Sequence, residues 1–324
     1  MRENPSRKTI ADKPVYNYQQ CIKDKNNIFI VSSHFKGVID ILEKDNNNYI
    51  ILEGIQDTSL YKGLIYTNKQ YIVMDIVGHC NLNYKGCGHF SPTADKYFYC
   101  IDEAKRDLQS LSNILEGQLK KLRIMGGEPL LHPNVVDILR FAREVFPQTN
   151  VVLITNGTLL LKQEVEFWNA LKDNNIELFI TKYPINFDYD AVEYKASQYN
   201  INLIFDTRGQ VIKTLLKFPL DIEGKQNAAL SYSKCKAVNC VNLFEGKLYQ
   251  CPTSCHLNRF NKKFGTNMQV GEGDYLELDK VNDKKEVFKF ISTYKQVCKY
   301  CMIDKITYDH PFSISKKEKE EWLP

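Results

Sequence analysis

The sequence predicts an α/β fold with a parallel sheet, followed by a loop-rich, cysteine-rich C-terminal part. Two observations lead to this prediction. Apolar strand-like runs alternate with amphipathic helical segments from residue 71 to about residue 220, and six of the ten cysteines lie after that point. Strands that alternate with helices of about ten to fifteen residues are typical of βα units. The 324 residues are enough for two or three domains.

The predicted elements follow one another in a regular order. Leucines recur at helical spacing after Asp102, which we expect to be the N-cap of the first helix, and a second helix follows Asn134. A third helix is predicted over residues 163–172. The predicted strands are YIVMDIV at 71–77, LRIM at 122–125, VVLIT at 151–155, IELFIT at 176–181 and INLIF at 201–205. Ligands bind outside the carboxyl ends of parallel strands, so chemistry is expected just after each run.

The two ends of the chain differ from this central part. Residues 1–70 carry short β-rich runs between polar turns and are predicted to form a small N-terminal extension. Regular alternation stops near Pro219 and Gly224, so we place domains at 71–220 and 221–324. The last segment, SKKEKEEW, is predicted to be a charged helix. A part with so little periodic apolar sequence needs a staple, which a metal would supply.

Composition and charge exclude several classes of protein. Hydrophobic residues at 43% and charged residues at 25% are ordinary globular values, which argue against disorder. A net charge of +4 is too weak to indicate a nucleic-acid or membrane partner. The N-terminus shows no apolar signal region, so we expect a cytoplasmic protein with reduced thiols. Clustered cysteines in that setting point to metal or catalysis.

A cysteine-containing loop, GHCNLNYKGCGHF, follows the first strand and places Cys80 and Cys87 six residues apart. It resembles the radical S-adenosylmethionine superfamily, whose signature is Cys-x3-Cys-x2-Cys after the first strand of a partial (β/α) barrel. The resemblance implies a 4Fe-4S cluster that holds S-adenosylmethionine on its open iron. This chain departs from the pattern because Tyr84 stands at the middle cysteine and Gly86 precedes the last one. A phenol is a hard, high-pKa ligand, so the loop offers two soft ligands instead of three.

Further positions match the superfamily in the right order along the chain. The second strand runs into MGGEP, and the third into TNG. The resemblance implies that these strand ends receive the methionine amino group and the ribose. Cations that follow the next two strands are assigned to the methionine carboxylate from their strand-end positions alone. The residues so assigned are Gly126, Gly127, Glu128, Thr155, Asn156, Lys182 and Arg208.

The C-terminal cysteines form a second set that resembles the SPASM and Twitch extensions of radical enzymes. The opening Cys-x10-Gly-x4-Cys runs through a Gly turn, and a CxxC closes the set. The single-cluster Twitch form fits better, and it implies an auxiliary 4Fe-4S cluster. Five thiols compete for the four ligand positions of this cluster: Cys235, Cys240, Cys251, Cys298 and Cys301. Cys255 is left outside the set, and Cys21 and Cys100 are interpreted as ordinary thiols. A structural zinc ion is the alternative metal that the same cysteines would bind.

The resemblance implies a radical oxidoreductase. Such an enzyme would generate a 5′-deoxyadenosyl radical that oxidises or rearranges a small polar, carbohydrate-like substrate or a peptide, with flavodoxin or ferredoxin as reductant. Two alternatives stay open: a degenerate member that serves as a binding or partner subunit, and a zinc-stabilised binding protein. His79 and His89 flank the cysteine loop and are interpreted as bystanders that orient it.

Overall fold

The computed structural model describes residues 71–324 and, before them, only the strand residues 9–10, 13–14, 29–32 and 49–52. The side chains of those early strands and of residues 207, 208 and 236 lie outside the described part. The chain divides into two compact units, Met1–Ile55 and Gln56–Pro324.

The first unit contains two strand pairs. The strands β1 (Thr9–Ile10) and β2 (Lys13–Pro14) pair antiparallel. The strands β3 (Phe29–Ser32) and β4 (Tyr49–Leu52) pair parallel, with Phe29 opposite Tyr49. The short β-rich runs expected in the N-terminal extension therefore include these strands. The division of the chain at residue 70 remains a prediction.

The second unit is built on one eight-stranded sheet in the order β13-β12-β11-β5-β6-β7-β8-β9. Strands β5 to β9 are mutually parallel, as the βα alternation predicts, and β11 is parallel to β5. The sheet strands are β5 (Tyr71–Val77), β6 (Lys121–Gly126), β7 (Asn150–Thr155), β8 (Glu177–Ile180), β9 (Leu203–Phe205), β11 (Val241–Phe244), β12 (Lys247–Tyr249) and β13 (Tyr275–Glu277). The predicted mixed α/β class with a largely parallel sheet is confirmed.

Seven α-helices are present among the described residues. They are α1 (Ile101–Leu115), α2 (Val135–Val145), α3 (Val165–Asp173), α4 (Tyr189–Gln198), α5 (Ala228–Lys234), α6 (Pro252–Phe264) and α7 (Lys284–Ser292). The predicted second helix begins after Asn134 as expected. In this part of the chain no helix is long and apolar enough to cross a membrane.

The first helix starts earlier than predicted. Cys100 occupies its N-cap, without a side-chain capping bond, and Asp102 lies in the first turn, where a carboxylate favours the helix dipole. The helix ends at Leu115, because Glu116 adopts a left-handed conformation with φ 54°. Leu119 therefore lies beyond the helix that its spacing suggested.

The C-terminal part joins the sheet. Its hairpin β11–β12 extends the parallel strands through β5, with Leu243 opposite Met74. A second small sheet pairs β10 (Thr214–Lys217) antiparallel with β14 (Thr307–Pro311). The expected charged helix at the end is a single 3-10 turn, Lys319–Trp322, and the segment before it is extended.

Two apolar clusters support this arrangement. The larger one packs the sheet against α1, α2 and α3, with Leu122, Leu153 and Trp168 fully buried. The smaller one lies under the cysteine loop and combines Phe90 with α6 and the C-terminal Trp322. The loop after β5 is therefore held between the strands of the large sheet and the end of the chain.

Candidate active site and cysteine cluster

The carboxyl ends of β5 to β8 surround a cavity of about 120 Å³. Cysteine, glycine, asparagine and aromatic side chains from four strand ends share its wall: Cys80, Asn83, Tyr84, Cys87, His89, Gly126, Gly127, Thr155, Asn156, Thr181 and Tyr183, among others. Six of the residues that the resemblance singles out therefore meet at one place. Residues that follow parallel strands were expected to converge in this way, because ligands bind outside the carboxyl ends of such strands.

The two glycines allow the cysteine loop to lie directly against the end of β6. Gly127 N donates to the Val77 carbonyl at 2.7 Å, and Glu128 N donates to the His79 carbonyl at 3.1 Å. A Cβ on Gly127 would overlap the His79 carbonyl oxygen, and one on Gly126, whose φ is 148°, would overlap Val77. In this structure the two glycines let the backbone at the end of β6 contact the backbone of the cysteine loop, and they also line the cavity.

Glu128 fastens two strand ends together. It is 1% exposed, and its carboxylate accepts hydrogen bonds from Thr155 Oγ1 at 2.6 Å, Asn156 N at 3.0 Å and Leu130 N at 3.1 Å. Burial raises the pKa of Glu128 to about 7, although these donors oppose the rise. Glu128 therefore lies beside the cavity as a buried brace, while its predicted contact with a methionine ammonium stays a prediction.

The TNG segment contacts the cysteine loop. Asn156 Nδ2 donates to Asn81 Oδ1 at 2.9 Å and lies 3.9 Å from Cys80 Sγ. Asn81 also donates to Thr158 Oγ1 at 2.8 Å. Thr155 and Asn156 both line the cavity, and their contacts to a cofactor remain a prediction.

The two predicted cations are less directly placed. Lys182 follows β8, but its Nζ lies 3.9 Å from the centroid of the Phe205 ring, and Lys182 is absent from the described residues that line the cavity. The side chain of Arg208 lies outside the described residues. The roles assigned to both remain predictions.

Tyr84 occupies the space that the superfamily signature gives to a third thiolate. Its side chain lines the cavity together with Cys80 and Cys87, its hydroxyl hydrogen-bonds the Cys87 thiol, and its ring stacks on Tyr183 at 5.9 Å between centroids. Burial raises the pKa of Tyr84 well above its ordinary value, so the phenol stays neutral. A neutral phenol is a hydrogen-bonding group and a poor iron ligand.

The residues at this position do not fit a three-thiolate cluster. Two thiols converge on the cavity, and the third corner is an aromatic ring. The cavity of about 120 Å³ is also smaller than the roughly 300 Å³ at which ordinary small-molecule sites begin. Tyr84 thus removes both a ligand and the volume that a cluster with its cofactor needs.

Four C-terminal thiols form a second group at the base of the β11–β12 hairpin. Each of the four interacts electrostatically with the other three: Cys235, Cys251, Cys298 and Cys301. Cys240 reaches only two of them, and its sulfur lies 2.9 Å from the Tyr71 hydroxyl. Burial raises the pKa of Cys235 and of Cys298 to about 12, so a metal charge is needed to hold the thiolates.

The spacing of these four thiols bears on the choice of metal. A tetrahedral zinc site with Zn–S bonds of about 2.3 Å places its sulfurs about 3.8 Å apart. Among the described residues, no three cysteine sulfurs lie within 4.8 Å of one another. The four thiols are therefore spaced more widely in this structure than the ligands of a closed zinc site.

Sequence reasoning missed a buried polar group beside the cavity. Asp75, in the middle of β5, is fully buried, and its carboxylate contacts His89 of the cysteine loop and His256 of α6. One signal was present in the sequence, because Asp75 interrupts the apolar run YIVMDIV, and an ionisable residue in a buried strand needs a partner. Its partners lie 14 and 181 residues away, which no local pattern shows.

Curated proteins of known activity resemble parts of the chain, whereas no protein-family model matches it. A GTP 3′,8-cyclase of Limosilactobacillus fermentum is 32% identical over 110 residues, 33% of this chain and 31% of that protein. The AdoMet-dependent heme synthase of Methanosarcina barkeri is 34% identical over 96 residues, 29% of this chain and 26% of that protein. The chain therefore spans about a third of the length of the curated relatives it matches.

Solved structures also resemble it. BtrN in complex with AdoMet and 2-DOIA gives a TM-score of 0.45 at 16% identity and covers 78% of this chain and 96% of that one. Streptococcus suis SuiB bound to precursor peptide SuiA gives 0.33 at 16% identity, over 52% and 43%. These scores are low, and the fold described above stands on its own geometry.

The structure brings the strand-end motifs to one cavity. The matched third of the chain supports the resemblance to the radical S-adenosylmethionine superfamily. The C-terminal cysteine group is Twitch-like, with a hairpin that carries the first thiols and a closing CxxC.

Proposed function

We propose that this chain is built as a radical S-adenosylmethionine enzyme for a small polar, carbohydrate-like substrate, and that Tyr84 makes it a cleavage-deficient form. The single observation that carries the proposal is the position of the Tyr84 ring, which shares the cavity wall with Cys80 and Cys87. The resemblance to the superfamily supports the predicted cofactors, S-adenosylmethionine and iron–sulfur clusters. When it is bound, a complete cluster supplies the electron that cleaves the sulfonium.

The cofactor would lie over the carboxyl ends of β6 and β7. Gly126 and Gly127 expose backbone at the cavity wall, and Thr155 and Asn156 present polar groups there. Glu128 holds these two strand ends in register through its hydrogen bonds to the TNG segment. We assign Lys182 and Arg208 to the methionine carboxylate on their strand-end positions alone.

A small polar substrate is supported by the character of the wall. Asn83, His89 and Thr181 supply polar side chains, and Tyr183 supplies an aromatic face with a hydroxyl. These groups can hydrogen-bond the hydroxyls of a small polar substrate, while apolar side chains make up the larger share of the wall. A flavodoxin or ferredoxin in the cytoplasm would be the reductant of an active form.

The auxiliary centre is proposed as a 4Fe-4S cluster on Cys235, Cys251, Cys298 and Cys301. The mutual adjacency of these four thiols and their spacing, wider than a zinc site, support this choice. Cys240, which the motif also allows, is engaged with the Tyr71 hydroxyl. In this arrangement the protein keeps an iron centre even when the loop after β5 has none.

An anaerobic reconstitution with an iron count and a cofactor titration tests the proposal. We expect about four irons for the natural sequence and about eight for Tyr84→Cys, since each cubane holds four. S-adenosylmethionine should bind Tyr84→Cys more tightly, because the substitution restores both space and an iron. The double variant Tyr84→Cys with Cys80→Ala is the matched control and should return to about four irons.

Three results would contradict the proposal. About eight irons in the natural sequence would mean that another group completes the first cluster. Stoichiometric zinc with little iron would favour the zinc-stabilised binding protein. An iron count of about four in Tyr84→Cys would show that the loop cannot hold a cluster for some reason other than Tyr84.

A further inference from the structure

A carboxylate and two imidazoles converge inside the second unit, beside the cysteine loop. Asp75 Oδ2 accepts from Asn242 Nδ2 at 3.1 Å, lies 3.0 Å from His89 Nδ1, and makes a shorter contact with His256 Nε2. One ligand atom from each of Asp75, His89 and His256 lies within 4.8 Å of the other two. The three residues come from β5, the cysteine loop and α6.

The His89–Asp75 distance suits a shared metal ion, and the shorter His256–Asp75 contact must lengthen when an ion binds between them. Metal–nitrogen and metal–oxygen bonds of about 2.0–2.2 Å place neighbouring ligand atoms about 3 Å apart, which the 3.0 Å between His89 Nδ1 and Asp75 Oδ2 matches. Two histidines with one carboxylate are the ligand set of many zinc and non-haem iron sites. Three protein ligands leave at least one coordination position for water or substrate.

Two buried oxygen atoms here have no hydrogen-bond partner. They are Asp75 Oδ1 and Asn242 Oδ1, on residues that are 0% exposed. A buried acceptor without a donor destabilises the fold, and more so when the group is charged. The site thus combines two oxygen acceptors that a cation would stabilise with two imidazoles whose nitrogen lone pairs can coordinate it.

We infer that Asp75, His89 and His256 form a binding site for one divalent first-row transition-metal ion, separate from both iron–sulfur positions. The ion ties the cysteine loop to β5 and to α6. Because His89 lines the cavity, this metal site lies beside the cofactor site.

The protonation state of His256 and the charge nearby are compatible with a bound metal ion. Burial lowers the pKa of His256 to about 3, so its imidazole is neutral, the form that ligates metals. Arg259, which donates to the His89 carbonyl at 2.9 Å, is the nearby cation and will reduce the affinity without blocking the ligand atoms.

Cobalt binding to the full chain tests the inference. The protein is first loaded with its iron–sulfur clusters, so that thiols are occupied, then freed of loosely bound ions and titrated with Co²⁺. We expect one equivalent of Co²⁺ with visible d–d bands and without the near-ultraviolet charge-transfer band of a cobalt–thiolate site. His256→Gln and Asp75→Asn should lose this equivalent, while His310→Gln, a histidine of β14, should keep it.

A measurement on the unmodified chain protects the test against a variant that fails to fold. Crystals soaked in Zn²⁺ should give an anomalous-scattering peak bounded by Asp75, His89 and His256. The inference is overturned if the unmodified protein binds no cation beyond its clusters. It is equally overturned if both variants retain the cobalt spectrum, or if the only anomalous peak lies at cysteines. Those results would leave the three residues as a hydrogen-bonded imidazolium–carboxylate group.

Discussion

Glu128 shows how one buried carboxyl group links stability to pH. Burial raises its pKa to about 7, above the usual value of about 4.3. The folded protein therefore holds a proton that the unfolded chain releases. Its stabilising effect is fully present below about pH 4.3 and is lost as the pH rises towards 7.

We expect the free energy of unfolding to fall by on the order of 3 kcal/mol across that window because of Glu128, at about 1.4 kcal/mol per pKa unit. Glu128→Gln, which cannot titrate, should remove this part of the pH dependence. Urea denaturation at several pH values measures it, with exposed Glu144→Gln as the matched control. Parallel stability curves for the natural protein and Glu128→Gln would contradict the assignment.

Individual residues differed in how far the sequence could reveal them. The order of GGEP and TNG after successive strands was enough to place Gly126, Gly127, Thr155 and Asn156 at one cavity. The hydrogen bond from Thr155 to Glu128 was not predictable, because it depends on the conformation of the segments that follow β6 and β7. The partners of Asp75 were hidden for the same reason, since they join three separate elements.

At the scale of elements, the C-terminal segment covers the cysteine loop. Trp322 is 1% exposed, donates from Nε1 to the Cys87 carbonyl at 2.9 Å, and packs against Phe90 and Phe260. The loop also pairs with the chain just before this point, where Lys85 N donates to the Ser313 carbonyl at 2.8 Å. The end of the chain therefore fixes the geometry of the two thiols.

Trp322→Ala should destabilise the fold by about 3–5 kcal/mol, since it removes a large buried side chain. It should also increase the rate at which a thiol reagent modifies Cys87, which mass spectrometry of the peptide measures. Trp168→Ala removes an equally buried tryptophan from the other apolar cluster and should cost similar stability without exposing Cys87. Equal modification rates in the two variants would show that Trp322 does not hold the loop.

Serine substitutions in the C-terminal cysteine group test which thiols bind the auxiliary centre. Cys251→Ser should lose the auxiliary centre and its roughly four irons, because Cys251 adjoins all three partner thiols. Cys240→Ser should retain that iron, since its sulfur contacts Tyr71. Iron analysis of both variants after anaerobic reconstitution distinguishes them. Iron loss in Cys240→Ser with retention in Cys251→Ser would reverse the ligand assignment.

Element boundaries followed local patterns only in part. Strand β5 matched its apolar run, 71–77, because a buried parallel strand is apolar on both faces. Helix α1 began before Asp102, since nothing in the sequence distinguishes a capping aspartate from one in the first turn. The tail SKKEKEEW looked helical, but Glu321 and Trp322 are buried by contacts that no periodicity reports.

Across the second unit, one continuous sheet joins the two proposed metal-binding regions. The hairpin β11–β12 extends the strands that build the cavity, and β11 lies next to β5. Cys240 directly precedes β11, and Cys80 follows β5 at the opposite end. Changes at the first cysteine loop can therefore alter one cofactor site while the hairpin and its thiols keep their support. This arrangement explains how a chain with Tyr84 could retain an auxiliary cluster.

The central claim is that Tyr84 alone prevents cofactor cleavage on an otherwise complete scaffold. Production of 5′-deoxyadenosine by anaerobically reconstituted protein with a strong reductant measures it most directly. We expect little or none from the natural sequence, clear production from Tyr84→Cys, and none from Tyr84→Ala, which adds space without a thiolate. Robust production by the natural sequence, abolished by Cys80→Ala, would contradict the account and mean that another group completes the cluster.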